Sequence, residues 1–195
     1  MSAAHPEHLP RSLWWVLIGI TLVWGFNWTA MKVAISEVAP FTFRTFCLAA
    51  GSGVLFAALR ASGQPLAIPR DQWRRLALIA FFSITCWNVL VVFGLRQIPS
   101  GRAAILAYTM PAIAIPLSVW FLHERMNARK LLGLALGMAG MALLLAEELT
   151  NLAGAPLGAL LVLGAATTWA LGTVLQKKYP VRAPVAALTA WMMLI

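Results

Sequence analysis

The chain has 195 residues, of which 61% are hydrophobic and 11% are charged, and its formal net charge is +9. A soluble domain has about a quarter of its residues charged, so this composition excludes an ordinary water-soluble globular protein. The charged residues cluster between apolar segments that are long enough to cross about 30 Å of hydrocarbon, which takes about 20 helical residues.

Six apolar segments are predicted to span a membrane, and a seventh is begun. They are rich in Leu, Ala and Gly and lack the alternating pattern of barrel strands, which predicts helices. The fifth reaches sufficient length if its helix begins near Ala128, and the seventh begins near Pro184 and is cut off at Ile195. The first six are Leu13–Ile35, Phe41–Leu59, Leu76–Leu95, Ala103–Leu122, Leu131–Ala146 and Leu157–Leu175. We therefore predict an all-α polytopic membrane protein, preceded by a cytoplasmic tail of residues 1–12.

The distribution of positive charge predicts the orientation, because cytoplasmic loops are enriched in Lys and Arg. With the N-terminus inside, the outside loops hold only Arg96 and Arg102, while Lys32 and Arg44 flank the first outside turn. The inside tail and loops hold the other eleven basic residues, which are Arg11, Arg60, Arg70, Arg74, Arg75, Arg125, Arg129, Lys130, Lys177, Lys178 and Arg182. We expect a multi-pass protein of the inner (plasma) membrane with a cytoplasmic N-terminus, and the basic excess requires no nucleic-acid partner.

The first segment ends in an unusual mixture of side chains, "WGFNWTAMK" (24–32). Trp24, Asn27, Trp28, Met31 and Lys32 recur at i, i+3, i+4, i+7 and i+8, which places them on one face of a helix. A buried amide costs free energy unless it is hydrogen-bonded, so Asn27 pairs either with another helix or with a substrate. We predict that this face lines a substrate cavity.

Lys32 lies 19 residues after Leu13, about 28 Å along a helix, and therefore near the outer boundary of the membrane. Its ammonium either reaches out to the lipid headgroups or attracts anionic groups to the outer mouth of the cavity. Arg44, a few residues into the second segment, favours the second interpretation, because cations within a membrane commonly mark functional sites.

Further candidates lie on the third and fourth segments. Trp87 and Asn88 repeat the pairing of an aromatic side chain with an amide, and we predict that they line the same cavity as Tyr108. Pro111 and Pro116 each free a backbone carbonyl and can bend a helix. Such bends suit gating in a transporter and are merely tolerated in a static bundle.

Acidic residues are equally informative. Glu124 lies beside Arg125 at an inside turn, where it pairs locally, caps the neighbouring helix or serves as an inside gate. None of the six spans contains Asp or Glu, so these segments supply no obvious proton carrier, and facilitated diffusion and exchange stay open. The chain has no nucleophile–base pair, phosphate loop or metal constellation, so we expect no enzyme activity, no cofactor and no metal.

A short internal sequence similarity links the first and sixth segments. Both "WGFNWTAMK" (24–32) and "WALGTVLQK" (169–177) place a Lys eight residues after a Trp. The offset of 145 residues contains five spans, and this odd number would place the second copy upside down in the membrane. Inverted repeats of this kind are typical of secondary transporters, with the substrate site at the interface between the repeats.

The fourth and fifth segments, "AAILAYTMPAIAIPLSVWFLHERMNARKLLGLALGMAGMALLL", combine a mid-span proline, a Glu-Arg pair, a basic turn and a glycine-spaced helix. Together with "WGFNWTAMK", "PFTFRTF" and "GALLVLGAATTWALGTVLQKK", they resemble the EamA-type transporters of the drug/metabolite transporter superfamily. The resemblance implies a helical bundle of two inverted five-helix repeats with a central cavity. It assigns residues 13–146 to the first repeat and 157–195 to the start of the second, which is truncated in its seventh helix.

The resemblance also implies a function, the export of a small metabolite such as an amino acid or a related compound by alternating access. The expected partners are this small-molecule substrate, membrane lipid, and either the missing second half or a second copy of the chain. The alternative is a non-transporting membrane assembly partner or an inactive truncated half-transporter.

Overall fold

A computed structural model describes residues 11–123, 126–152 and 156–195, and in this part of the chain every regular element is a helix. The predicted all-α fold is therefore confirmed. The helices are α1 (Arg11–Glu37), α2 (Pro40–Ala61), α3 (Trp73–Ala80), α4 (Trp87–Gln97), α5 (Ser100–Ala107), α6 (Met110–Leu122), α7 (Ala128–Leu152), α8 (Pro156–Lys178) and α9 (Val185–Leu194).

Among the residues that the structure describes, five helical stretches are long and apolar enough to cross a membrane. They are Leu13–Glu37, Pro40–Ala61, Arg70–Gln97, Ser100–Leu122 and Pro156–Lys178. Each coincides with one of the predicted spans. The fifth and seventh predicted segments lie on α7 and α9, which have shorter apolar stretches within the described residues.

The stretch Arg70–Gln97 is helical throughout but is not uniform. It begins with a 3₁₀ turn (Arg70–Gln72), and α3 and α4 are joined by six residues, Phe81–Cys86, that wind as a π-helix. We call these six residues the π segment. The wider π turn is rare and occurs mostly as a single turn within an α-helix, frequently at a functional site.

The fourth predicted span is interrupted just before Pro111, one of the two prolines at which the sequence indicates a bend. α5 ends at Ala107, and α6 begins at Met110 after a turn at Tyr108 and Thr109. The hydroxyl of Thr109 donates to the carbonyl of Leu106 at 2.7 Å. Because Pro111 has no N–H to donate to the carbonyl four residues earlier, the α-helical ladder cannot run unbroken through this turn.

α8 lies at the centre of the described bundle. It packs against α4, α5, α6 and the π segment, and α2 packs against α9. The α4–α8 contact is close because two glycines face each other. A Cβ added at Gly94 would lie 2.9 Å from the carbonyl oxygen of Gly158, and one added at Gly158 would lie 2.8 Å from the Cβ of Gln97.

Two apolar clusters hold the helices together. One joins α1, α4, α5 and α8 around Trp28, Val91 and Val162. The other joins α3, α8 and α9 around Leu76 and Leu188. Hydrogen bonds that involve side chains reinforce the second region. Trp191 Nε1 donates to the carbonyl of Leu66 at 2.8 Å, and Ser52 Oγ donates to the carbonyl of Ala190 at 3.0 Å. Gln72 Oε1 accepts from the backbone N–H of Arg182 at 2.7 Å.

Candidate functional site

A cavity of about 360 Å³ lies between α2, the π segment with α4, and the end of α9. We call it the α2–α4 cavity. Its walls come from the first half of α2, the second half of Arg70–Gln97 and the last residues of α9, so it lies in the half of the bundle that holds the α1–α2 turn. The lining residues are Pro40, Phe41, Arg44, Thr45, Leu48, Ala49, Ile84, Thr85, Asn88, Val89, Val92, Phe93, Met193, Leu194 and Ile195.

The helical repeat explains why these residues converge. On α2 the lining residues come in adjacent pairs one turn apart, and the facing helix repeats that pattern, so each helix presents one face to the cavity. The polar lining residues are Arg44 and Thr45 on α2 and Thr85 and Asn88 on the facing helix. The result is a mostly apolar chamber that contains one cation, one amide and two hydroxyls.

Arg44 is the only charged residue in this lining, among the residues that the structure describes. Its side chain is half-buried, and its guanidinium carbon lies 5.9 Å from the centroid of the Phe43 ring. The Nε of Arg44 is buried and has no hydrogen-bond partner among the described residues. A buried donor without a partner carries a desolvation cost, so Arg44 is not fully satisfied by the described residues.

Asn88 is held in place by the distorted helix. Its Nδ2 donates to the carbonyl of Ile84 at 2.7 Å. Ile84 belongs to the π segment, where the usual i→i+4 ladder is interrupted. The amide therefore satisfies part of the backbone of the π segment while it lines the α2–α4 cavity.

Lys32 lies at a different place from Arg44 and does not line the α2–α4 cavity. Its Nζ donates to the carbonyls of Leu95, Arg96 (3.2 Å) and Ile98 (3.0 Å). These carbonyls belong to the C-terminal end of α4 and the residue after it, where backbone acceptors have no partner within the helix. A cation is also favourable at this negative end of the helix dipole. The structure thus gives Lys32 a structural role that the sequence did not indicate.

The predicted stripe on α1 is divided in the structure. Trp28 and Met31 are buried together with Ile35 against α4 and α5, whereas Trp24 and Asn27 are exposed. The indole nitrogen of Trp28 is buried and has no hydrogen-bond partner among the described residues. The face that this helix presents to the described bundle is therefore its apolar part.

The other predicted site residues are distributed over two regions. Trp87 packs near Trp169 of α8, with ring centroids 6.5 Å apart. Tyr108 and Pro111 line a separate cavity of about 590 Å³ between α6 and α7, and Pro116 lines an adjoining groove of about 840 Å³. Glu124 lies outside the described residues. Of the predicted set, the α2–α4 cavity brings together Arg44 and Asn88.

Among the lining residues that sequence reasoning missed, four have polar or aromatic side chains. Thr45 follows Arg44 directly, and Thr85 precedes Asn88 by one turn, so helical spacing from the two predicted residues could have identified both. Phe41 and Phe93 meet edge to face across the cavity, with centroids 5.6 Å apart. That contact depends on the pairing of α2 with α4, which spacing within one helix does not reveal.

Comparison with known proteins agrees with the resemblance noted in the sequence. The sequence profile of the EamA-like transporter family matches residues 12–146. The "Uncharacterized transporter YoaV" of Bacillus subtilis (strain 168) is 29% identical over 180 residues, which are 92% of this chain and 62% of that protein. The "Probable amino-acid metabolite efflux pump" of Escherichia coli (strain K12) is 28% identical over 181 residues, which are 90% of this chain and 58% of that protein.

A third relative, the "Uncharacterized transporter YvbV" of Bacillus subtilis (strain 168), is 30% identical over 173 residues, which are 88% of this chain and 56% of that protein. The chain thus spans between 56% and 62% of the length of these three curated relatives. No solved structure matches it. Because the family profile covers more than half of a chain built from long apolar helices, this membrane protein belongs to the EamA-like transporter family.

Proposed function

We propose that the protein is a membrane transporter that exports a small metabolite by alternating access. The observation that carries the proposal is the α2–α4 cavity, whose volume of about 360 Å³ falls within the range of about 300–1,000 Å³ that is usual for small-molecule sites. Its walls are mostly apolar, and its few polar groups converge from two helices that lie within the family match. Such a chamber suits a solute with an apolar body and a small polar end.

The substrate class follows from this chemistry together with one relative. The Escherichia coli protein bears the name of a probable amino-acid metabolite efflux pump, and an amino acid or a related compound fits a chamber with one cation, one amide and two hydroxyls. We place the protein in the inner membrane with a cytoplasmic N-terminus. A complete transport unit would require either further helices or a second copy of the chain, because these relatives are longer.

Flux through proteoliposomes tests the proposal. The purified protein is reconstituted into vesicles that are loaded with radiolabelled leucine or phenylalanine, and we expect release faster than from protein-free vesicles. Val89→Trp should abolish this release, because the indole would fill the α2–α4 cavity. Val54→Trp is the matched control, since Val54 is exposed on α2 and outside the cavity lining, and it should transport normally.

The outcomes separate the alternatives. Release that rises faster than the amount of reconstituted protein supports assembly from two copies. The absence of release at every protein density contradicts transport by this chain and favours the non-transporting assembly partner. Equal flux in Val89→Trp and Val54→Trp contradicts the assignment of the cavity while leaving transport intact.

The orientation is tested by cysteine labelling in intact cells. In a variant in which Cys47 and Cys86 are replaced by serine, cysteines introduced at Arg70 and Arg129 should resist an impermeant thiol reagent. A cysteine introduced at Asn151 should react, because the distribution of basic residues predicts that the C-terminal end of α7 lies outside. Permeabilised cells, in which all three positions should react, provide the control. Labelling of the first two positions in intact cells would reverse the orientation.

A further inference from the structure

We propose that the α2–α4 cavity is a carboxylate-binding site, in which Arg44 holds the carboxylate of a small organic acid and Phe41 and Phe93 contact its apolar body. As a transport subsite it rests on the proposed function, but as a binding site it can be tested independently. The starting observation is the buried Nε of Arg44, which has no hydrogen-bond partner within the described part of the chain. The cavity beside it is large enough to supply one.

The guanidinium of Arg44 indicates the geometry of the ligand. An arginine binds a carboxylate most favourably through two parallel N–H···O bonds, and one such pair consists of Nε–H and one terminal N–H. The two terminal nitrogens can form a second pair of this kind, and the half-buried Arg44 lines the cavity, so its guanidinium can hold an acceptor with two oxygens. A neutral ligand offers only one acceptor at the end of an amide or ketone, and it would leave the positive charge uncompensated.

The charge of the cavity favours a carboxylate over a phosphate. Arg44 is the only charged side chain in the lining among the described residues, and the ammonium of Lys32, outside the lining, donates to the carbonyls at the end of α4. A monoanionic carboxylate therefore matches the single cation, whereas a phosphate that carries nearly two charges would be left partly unpaired in an apolar chamber.

The remaining lining selects the rest of the ligand. Phe41 and Phe93 form an edge-to-face pair with centroids 5.6 Å apart, and such rings bind apolar and aromatic groups. Thr45, Thr85 and Asn88 add hydroxyl and amide groups to the same lining, where they can contact a polar substituent next to the carboxylate. The ligand class is therefore a small organic acid with an apolar or aromatic body.

Thermal unfolding of the purified full chain in detergent tests the site. The probes are 3-phenylpropionate, the isosteric neutral 3-phenylpropionamide, and 2-phenylethyl phosphate. At about ten times its Kd, the carboxylate should raise the Tm by about 3–6 °C, and the amide and the phosphate should have a much smaller effect. Equal shifts with carboxylate and amide would overturn the proposal without the need for any variant.

Variants assign the effect to the cavity. Arg44→Met should abolish the shift, and Arg44→Lys should weaken it, because lysine keeps the charge but lacks the planar fork. Arg60→Met is the matched control, since Arg60 is an exposed arginine at the other end of the same helix, and it should keep the full shift. Val89→Trp should also abolish the shift without altering the charge, which covers the case in which Arg44→Met does not fold.

A full carboxylate shift in both Arg44→Met and Val89→Trp would place the binding elsewhere and overturn the proposal. The result is also distinguishable from that of the flux experiment. Carboxylate binding without flux supports the site and contradicts transport. Flux without any preference for carboxylate over amide supports transport and contradicts the site.

Discussion

Gly172→Ala is expected to lower the free energy of unfolding by about 1–3 kcal/mol, the usual cost of inserting an extra methyl group into a packed contact. A Cβ at this position would collide with the hydroxyl of Ser83 and would lie 2.9 Å from its backbone nitrogen and 3.0 Å from its Cβ. The hydroxyl can rotate away, but the backbone of the π segment cannot move without displacing α8. The measurement is unfolding of the purified protein in detergent, followed by tryptophan fluorescence.

Gly133→Ala provides the matched control. A Cβ at Gly133 of α7 would meet nothing within 4 Å among the described residues, so alanine should leave stability unchanged or raise it by up to about 1 kcal/mol through its higher helix propensity. Replacing Ser83 by glycine in the Gly172→Ala background should recover part of the loss, because it removes the hydroxyl and the Cβ from the contact. If Gly172→Ala proves as stable as Gly133→Ala, the close contact between α8 and the π segment is wrong.

Lys32→Met is expected to lower the free energy of unfolding by about 2–3 kcal/mol. The ammonium donates to three carbonyls at the end of α4, and a hydrogen bond to a charged group contributes about 1.5–3 kcal/mol. Methionine keeps most of the length and apolar character of the side chain, so the loss of stability measures the contribution of the ammonium group. Water or headgroups can take over some of the carbonyls, which keeps the total well below the sum of three separate bonds.

Two readouts distinguish this structural role from the anion-attracting role that the sequence suggested. If Lys32 only connects α1 to α4, Lys32→Met should lower the free energy of unfolding and leave the carboxylate-induced Tm shift unchanged. Lys178→Met is the control for stability, since exposed Lys178 contributes a contact with the Phe121 ring at 5.2 Å, worth about 0.5–1 kcal/mol. Unchanged stability combined with a lost carboxylate shift in Lys32→Met would instead support the anion-attracting role.

The spans were predictable because a membrane imposes a simple rule on the sequence. A helix that crosses hydrocarbon requires about 20 apolar residues, and the predicted segment Leu76–Leu95 therefore falls within the helical stretch Arg70–Gln97. Pro111 also indicated a bend close to the break before α6. The π segment could not be predicted, because "FFSITC" contains neither proline nor glycine. Its position coincides with the contact between Ser83 and Gly172, and sequence patterns within one helix do not report such contacts.

The site was only partly predictable for a related reason. Helical spacing correctly places Trp28 and Met31 on one face of α1, but it does not reveal which neighbour that face meets. The structure buries these two apolar residues and leaves Trp24 and Asn27 exposed. Arg44 was identifiable as a cation within a span, whereas its proximity to Asn88 depends on how α2 and α4 pack, across more than 40 residues of sequence.

The π segment has a consequence for the angular phase of the side chains along Arg70–Gln97. A π turn accommodates one residue more than an α turn, and one residue corresponds to about 100° of rotation around a helix axis. The faces of α3 and α4 are therefore offset by one residue step relative to an uninterrupted α-helix. A tightening of Phe81–Cys86 into regular α-helical winding would turn α4 about its own axis and carry Asn88 away from Arg44. The third predicted span thus changes the angular phase of its side chains within a continuous helix, at the segment that supplies Ile84 and Thr85 to the cavity lining.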